Sequence, residues 1–254
     1  MIMTDITTQI ATADSKSITV RGRDLVNDII GKVSFTEMFY LLVVGKVPTS
    51  EQSRVLDACL VTLMEHGFTP SALISRLMAE SSPGQIQVSI AAGLLAIGDV
   101  HAGTMEACAG LLSVGVDEPD IIAWCRKIVA EHRSRGESIH GFGHKLHRPE
   151  DPRASVLLRV AQENGLAGRY VNLLLQLSLA IDEAAGRHVT INATGALAAL
   201  LLEIEIPQSV VRAIAVVSRS GGLVGHILEE QKTNSSNLLI KFARDAIPYK
   251  EAPP

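Results

Sequence analysis

Only 4% of the 254 residues are aromatic. A core of this size has to be packed from aliphatic side chains, and the many alanines and leucines point to closely packed helices and to an oligomer. Cysteine is almost absent: Cys59, Cys108 and Cys125 stand alone inside helical patterns. Lacking paired spacing, they exclude a disulfide framework and a zinc site, and read as reduced core residues of a cytoplasmic protein. Positive charge is not in excess, since the formal net charge is -4. No basic stripe interleaved with aromatics is present, which argues against nucleic-acid binding. No apolar run reaches membrane-spanning length, and the start lacks a basic segment followed by an apolar one. Neither a membrane span nor a secretory signal is therefore expected. Pro/Ser-rich linkers, low-complexity tracts and visible internal repeats are missing too. A chain of this length can bury a full core, as one large domain or as two lobes sharing a continuous helical scaffold.

What is present is helical punctuation. Residues 1–17 are polar and without period, and read as a loose lead-in; the only strand signal is a short pair near Ile18 to Arg23. At Ser34 the text SFTE is a capping box, followed by Phe35, Met38, Phe39, Leu42 and Val43 on one face and a stop at Gly45. A second box, Thr49 to Gln52, opens a helix that is expected to end at Gly67, and another helix follows Pro70. Ala91 to Ile97 is apolar on nearly every face, the pattern of a fully buried helix. Asp117 to Asp120 starts a helix through Trp124 that closes at Gly136. Further helices are expected from Pro152 to Asn164, from Arg169 to Ala185 and from Ala193 to Glu203. Two more should lie on either side of a break, SRSGG, at Ser218 to Gly222. The fold class is all-α.

The densest chemistry lies in HGFGHKLHRPEDPR, His140 to Arg153. A glycine-flanked loop ends in a histidine, with two arginines ahead of a helix start in which Asp151 is the N-cap and Pro152 fits the first turn. Small residues admit a ligand close to the backbone, while His144 and Arg153 suit a carbonyl and a carboxylate. That is a site for acyl chemistry on an acidic substrate.

Of the eight histidines, His132 and His188 sit among charged residues and have the ordinary reading of a packed or surface side chain. No HExxH pair exists, and His140 and His144 lie on a glycine loop that places two rings poorly for one metal, so no metal is expected. His66 follows a helix and precedes a proline-led one. His101, in GDVHAGTME, breaks an apolar segment at a helix junction, where a buried histidine is costly unless hydrogen-bonded. Arg153 and Arg219 each sit at an expected helix boundary beside small residues, where guanidinium and backbone donors together can hold an anion.

Four segments in this order resemble the citrate synthase superfamily: Arg21 to Thr49, EHGFTPS at Glu65 to Ser71, GFGHKLHRPEDPR, and SRSGGLVGHILEEQ at Ser218 to Gln231. The resemblance runs from about Arg21 to Tyr249. The short length, the GDVHAGTME turn and the ending GHILEEQ look most like the short citryl-CoA lyases, and are similar to the citryl-CoA lyase module of ATP-citrate lyase. The resemblance implies a helical homodimer whose small domain closes over a cleft against a large one. Its domains would be 1–105 (large, first part), 106–205 (small) and 206–254 (large, second part). By position it implies that His101 holds the thioester oxygen of acetyl-CoA and that His144 serves the oxaloacetate carbonyl or the citryl-CoA hydroxyl. His66 would bind the keto acid and Arg153 and Arg219 its carboxylates. Gly141, Phe142, Gly143 and Arg148 would contact coenzyme A.

Two positions depart from the family pattern. Where the family carries its catalytic aspartate in a motif reading roughly NVDG, this chain reads NATG, with Thr194 in the aspartate's place. A hydroxyl is no general base near pH 7. An ordered water or Thr194 can relay the proton, or the enolate can arise by decarboxylation of a malonyl-type thioester, or catalysis is lost. An arginine that the family donates across its dimer is replaced by Lys241, with Arg244 nearby; lysine keeps the charge and loses the fork. Three functions are compatible with this pattern. The first is citryl-CoA-type cleavage of a β-hydroxy acyl-CoA into acetyl-CoA and a 2-oxo acid such as oxaloacetate. The second is a citrate synthase-type condensation using a different acyl-CoA or keto acid. The third is non-catalytic binding of CoA or a dicarboxylate.

Overall fold

The computed structural model describes residues 6–252 of the chain, so the first five residues of the lead-in lie outside the described residues. The rest of that lead-in is not loose throughout. A three-stranded antiparallel sheet forms from β1 (Ala11–Ala13), β2 (Ile18–Val20) and β3 (Arg23–Asp24). The strand pair near Ile18 is thus present, and β1 joins it through the register Ala11 to Val20, which the polar text concealed.

All other regular structure is helical. The elements are α1 (Phe35–Val44), α2 (Ser50–Met64), α3 (Pro70–Ser81), α4 (Ile86–Leu95), α5 (Gly103–Gly115), α6 (Ile121–Ser134), α7 (Pro152–Glu163), α8 (Arg169–Ala185), α9 (Ala193–Glu203), α10 (Val211–Thr233) and α11 (Ser235–Ala246). The punctuation works as its chemistry requires. Ser34 and Glu37 cap each other's backbone at 3.2 and 2.7 Å, and Gly45 stops α1 in the left-handed conformation. Thr49 and Gln52 do the same for α2, which ends at Met64 rather than at Gly67. Helix α5 has no counterpart among the expected helices.

The chain divides into two compact units. Among the described residues, one holds 6–59 and 105–211, the other 60–104 and 212–252. This differs from the expected division at 1–105, 106–205 and 206–254, because the first 59 residues pack with the middle of the chain. There Glu205 takes Lys46 at 2.6 Å and Gln52 at 3.4 Å. Tyr40 is fully buried in the same unit, and its hydroxyl is pushed up to about 12 by burial and by the charge of Glu205.

The core of the first unit is α9. Of its eleven residues all but Thr194 and Glu203 are apolar or small, and all but those two are buried. Glu203 turns back to accept the backbone N–H groups of Tyr170 and Val171, at 3.0 and 3.2 Å. It thereby caps α8, whose own N-cap is Gly168, a residue with no side chain to do so.

In the second unit two expectations fail. Helix α4 buries only Ser89 and Gly93, while Leu95 is 87% exposed. Its small face, not its apolar one, meets α3, because a side chain at Gly93 would run into the Ser71 carbonyl oxygen at 2.7 Å. The SRSGG stretch does not break a helix either, since α10 runs straight through it. Its glycine serves close approach instead: a methyl group on Gly222 would collide with the Met64 carbonyl oxygen. With no break there, Gln208–Thr233 becomes long and apolar enough, by length and composition alone, to cross a membrane. Its charged residues break up the run in the sequence; of these, Arg212 pairs with Asp99, Arg219 with Glu65 and Glu230 with Arg76.

Two of the three glycines of α10, Gly222 and Gly225, separate packing from propensity. Gly222→Ala is expected to cost about 1–3 kcal/mol through overpacking against Met64. Gly225→Ala, with nothing within 4 Å of the new methyl group, should instead gain up to about 1 kcal/mol. Urea unfolding of both variants checks this; equal shifts would show that the close approach is not a constraint.

Candidate active site

In the first unit the Gly141–Gly143 loop is zipped onto the segment that enters α9. Gly143 N–H donates to the Thr190 carbonyl at 2.7 Å, and Asn192 N–H to the Gly141 carbonyl at 3.0 Å. Asn192 Nδ2 reaches the Gly143 carbonyl at 2.9 Å, and Phe142 pairs with Ile191. Gly141 has φ +95°, and a methyl group there would lie 2.7 Å from Cys108 Sγ. This glycine is required by packing inside the protein, not by approach of a ligand as the loop's sequence suggested.

Asn192 also caps α9, accepting from Gly195 N–H at 3.2 Å and from the Thr194 hydroxyl at 2.6 Å. Thr194 therefore spends its proton on the cap, and its part-buried oxygen offers no basic group.

Asp151 organises the far end of the loop, where α7 begins. Its carboxylate is fully buried. It accepts Arg153 N–H at 3.0 Å as the N-cap of α7, Arg153 Nε at 3.0 Å and Nη2 at 2.8 Å, and Ala193 N–H at 3.0 Å. Burial opposes its charge, but the hydrogen bonds from Arg153 and Ala193 and the Arg153 charge win, holding the carboxyl down at about 2. The fork of Arg153 is thus fixed before any substrate arrives.

His144 is held from the other side. Its Nδ1 accepts the backbone N–H groups of Leu146 and His147 at 3.1 and 2.9 Å. An acceptor at Nδ1 assigns the ring hydrogen to Nε2. Nε2 lies 3.5 Å from Arg153 Nη2, so the imidazole edge and the guanidinium stand side by side. His147 packs against the ring, with centroids 4.4 Å apart. Arg148 is exposed, its Nε reaching the His144 carbonyl at 3.2 Å. Beside Phe142 opens a cleft of about 350 Å³ with Val129, Ile139 and Ile181 on its walls and His132, Arg133 and Arg187 among its polar lining.

The second unit holds His66, His101, Arg219 and Lys241. Glu65 accepts the N–H groups of His66 and Gly67 at 2.8 and 2.6 Å and His226 Nε2 at 3.0 Å. Burial would raise its carboxyl, but these hydrogen bonds, the one from His226 first, lower it. Arg219 Nη1 lies 3.7 Å from Glu65 Oε2 and has no hydrogen-bond partner although that atom is buried. Burial lowers the Arg219 guanidinium against the pull of Glu65. Behind this group, Arg76 is 2% exposed and donates Nε to His226 Nδ1 at 2.9 Å and Nη1 to Glu230 at 3.2 Å. Its guanidinium also lies 5.1 Å from the centre of the Phe68 ring.

His66 is exposed, next to Glu65. His101 is exposed rather than buried, in a turn where the Gly98 carbonyl takes the N–H groups of His101, Ala102 and Gly103. Asp99 ties that turn to Arg212 on α10 at 2.9 Å. Lys241 is exposed on α11 and joins none of these groups.

The structure therefore gathers His144, Arg148, Arg153 and Thr194 around the zipped loop in one unit, and Arg219 and His66 around Glu65 in the other. Sequence reasoning missed Glu65, His226 and Arg76, and saw in Asp151 only a helix cap. For Glu65 a signal existed, an acid beside His66; for Arg76 there was none, since its partners lie 150 and more residues away.

Each unit thus sets a guanidinium beside a histidine, Arg153 beside His144 in the first and Arg76 beside His226 in the second. Residues 48–243 match the family described as citrate synthase, C-terminal domain, and the chain belongs to the citrate synthase family. It is 28% identical over 195 residues to a putative citrate synthase 2 of Mycobacterium tuberculosis, covering 73% of this chain and 49% of that one. The chain thus spans about half the length of the curated relatives it matches. Among solved structures it is similar to citryl-CoA lyase from Hydrogenobacter thermophilus, with TM-score 0.87, 28% identity and coverage of 98% and 96%. It also shares the fold of ATP citrate lyase from Methanothrix soehngenii in complex with citrate and coenzyme A, with TM-score 0.80, 20% identity and coverage of 98% and 42%.

Asp151→Asn removes one charge from a buried ion pair and is expected to cost about 2–3 kcal/mol at pH 7. The wild-type contribution is present above the unfolded carboxyl value near 3.9 and is lost as pH falls toward 2, worth about 2 kcal/mol in all. Urea unfolding between pH 2 and 7 should show this acid loss in the wild type and a flatter curve in the variant.

Proposed function

We propose that the chain cleaves a citryl-CoA-type β-hydroxy acyl-CoA into acetyl-CoA and a 2-oxo acid such as oxaloacetate. The observation that carries the reading is the preset donor pair, His144 Nε2–H beside Arg153 Nη2. In cleavage the hydroxyl proton passes to solvent water, one proton returns from solvent to the acetyl carbon, and the carbinol oxygen becomes a carbonyl. The electron pair of the breaking carbon–carbon bond passes to the thioester as an enolate, and the returning proton completes the acetyl group. Charge moves between two oxygens, so donors aimed at each supply the catalysis. His144 serves the carbinol oxygen, and its hydrogen on Nε2 makes it a donor. Arg153, held by Asp151, takes a neighbouring carboxylate in bidentate fashion. In the second unit, taken by itself, His101 is assigned to a thioester oxygen, and His66 and Arg219 to a carboxylate. The unpartnered Arg219 Nη1 supports the last assignment, because an arriving carboxylate would satisfy it.

The similarity to the Hydrogenobacter lyase over both full lengths supports this direction of reaction. So does Thr194, since cleavage requires no carboxylate to remove a methyl proton. Coenzyme A itself is assigned to Phe142, Gly143 and Arg148, with the cleft beside Phe142 fitting an adenine-sized group between apolar walls and a rim of Arg133, Arg187 and Glu137. A cytoplasmic homodimer completes the reading. Three buried free thiols and large exposed apolar side chains such as Leu95, Phe242 and Ile247 support it. Lys241 then serves the substrate from its own exposed helix.

A second reading, condensation of an acyl-CoA with a keto acid, is favoured by the curated relatives, which include named citrate synthases. Incubating the protein with citryl-CoA, and separately with acetyl-CoA plus oxaloacetate, distinguishes the two. Release of acetyl-CoA from citryl-CoA without net condensation is the expected result, and absence of cleavage would overturn it. His144→Ala should lower kcat by about 100-fold or more, as loss of an oxyanion donor does. Thr194→Asp should raise the condensation rate if only the base is missing from this scaffold.

A further inference from the structure

We propose that His188 is a positioning residue, which fastens the Gly141–Arg153 loop to the segment entering α9 by bridging Asp182 and Glu150 and releases Glu150 on losing one ring proton. The inference rests on the reading above, in that this loop holds the keto acid.

The geometry favours the charged ring. Nδ1 lies 2.7 Å from Asp182 Oδ2, and Nε2 lies 3.1 Å from Glu150 Oε1. Ionised carboxylates only accept hydrogen bonds, and a neutral imidazole carries a single N–H. Nδ1 is hydrogen-bonded to Asp182, and a proton on Nε2 adds the ion pair with Glu150. The two carboxylates are not equivalent. Asp182 stands near the end of α8, and its other oxygen accepts Val189 N–H at 2.7 Å. It keeps the remaining ring hydrogen when one is lost. Glu150 is 60% exposed and becomes the partner that is let go.

Position makes this contact consequential. Glu150 immediately precedes Asp151, the residue that aims Arg153. The Pro149 carbonyl accepts from the Thr190 hydroxyl, and Thr190 and Asn192 hold Gly143 and Gly141. His188 therefore ties down the Arg153 end of the loop while its next neighbours tie down the glycine end.

The ring is held above its ordinary range, first by the hydrogen bond to Asp182, against slight burial, and then by the charges of Asp182 and Glu150. The charged groups facing it are Asp182 from α8 and Glu150 from the loop, with Arg187 donating to its backbone carbonyl at 3.4 Å. Helix α7 lines the adjoining cleft of about 440 Å³ with Ala154, Ser155 and Leu158, none of them titratable. Since the folded value is raised, the tie is fully present below the ordinary histidine value near 6.5 and is lost as pH rises through the folded one.

The test uses the full chain. NMR titration should place His188 above about 6.5 and bring it down toward that value in Glu150→Gln and Asp182→Asn. After correction for intrinsic rates, the amides of Gly143 and Asn192 should exchange about two- to fivefold faster above the His188 transition than below it. His188→Gln should exchange at the fast rate throughout. In the cleavage assay the KM for citryl-CoA should rise by a similar factor across the same transition with kcat little changed, and this dependence should vanish in His188→Gln. Wild-type titration at or below 6.5, or unchanged amide protection in His188→Gln, overturns the proposal. Should His188→Gln fail to fold, Glu150→Gln keeps the Asp182 pair and is expected to give the same exchange result. Failure of the wild type to cleave citryl-CoA would sink the functional reading, while titration and exchange would still decide the clasp.

Discussion

A carboxylate taken fully out of water has to have its charge met within hydrogen-bond reach. Asp151 is such a group, and much of the first unit's chemistry depends on how that requirement is satisfied. Its two oxygens accept the N–H that starts α7, the guanidinium of Arg153 and the N–H of Ala193 that starts α9. One side chain thereby fixes two helix starts and aims one cation. The Arg153 fork stands beside His144 because Asp151 permits it few other orientations. The loop ahead of it is held just as firmly, through backbone bonds to Thr190 and Asn192. Rigid donors cost little to reorganise when charge develops on a substrate oxygen, and that is what such a site has to offer.

The second unit solves a similar problem with the opposite sign. Arg76 is a buried cation, and Glu230, His226 and Ser235 meet its N–H groups from α10 and just beyond it. Its hydrogen bond to His226 leaves that ring's Nε2 hydrogen for Glu65, and Glu65 in turn faces Arg219. A chain of partners runs from the interior of the unit to a guanidinium with an unmet donor. The inner members are saturated and the outermost is not, which is where a carboxylate ligand has something to gain.

Local signals are legible wherever the deciding interaction spans three or four residues. Both capping boxes, the left-handed glycine after α1, the Asp151–Pro152 start and the bounds of α8 and α9 are of that kind. Errors arise where an identical local signal has a distant cause. Two adjacent glycines in SRSGG suggest a break, yet Gly222 is small because Met64 presses on it from another helix. The apolar stretch from Ala91 suggests burial, although α4 turns its small residues toward α3 and leaves Leu95 outside. Gly141 suggests room for a ligand, and it is room for Cys108. His101 suggests a histidine in the interior, and the turn at Gly98 carries it to the surface.

Taken by itself, the sequence determined the all-helical class, most helix ends and the family, because period, caps and motif order are properties of neighbouring residues. It also identified His144, Arg153 and Arg219 as residues of interest. Only the tertiary structure decided what those residues can do. The hydrogen on His144 Nε2, the aim of the Arg153 fork, the unmet donor of Arg219 and the two carboxylates around His188 all depend on partners brought in by folding. Hydrogen-bond direction and burial are set by those partners, and nothing in the identity of a histidine or an arginine specifies them in advance.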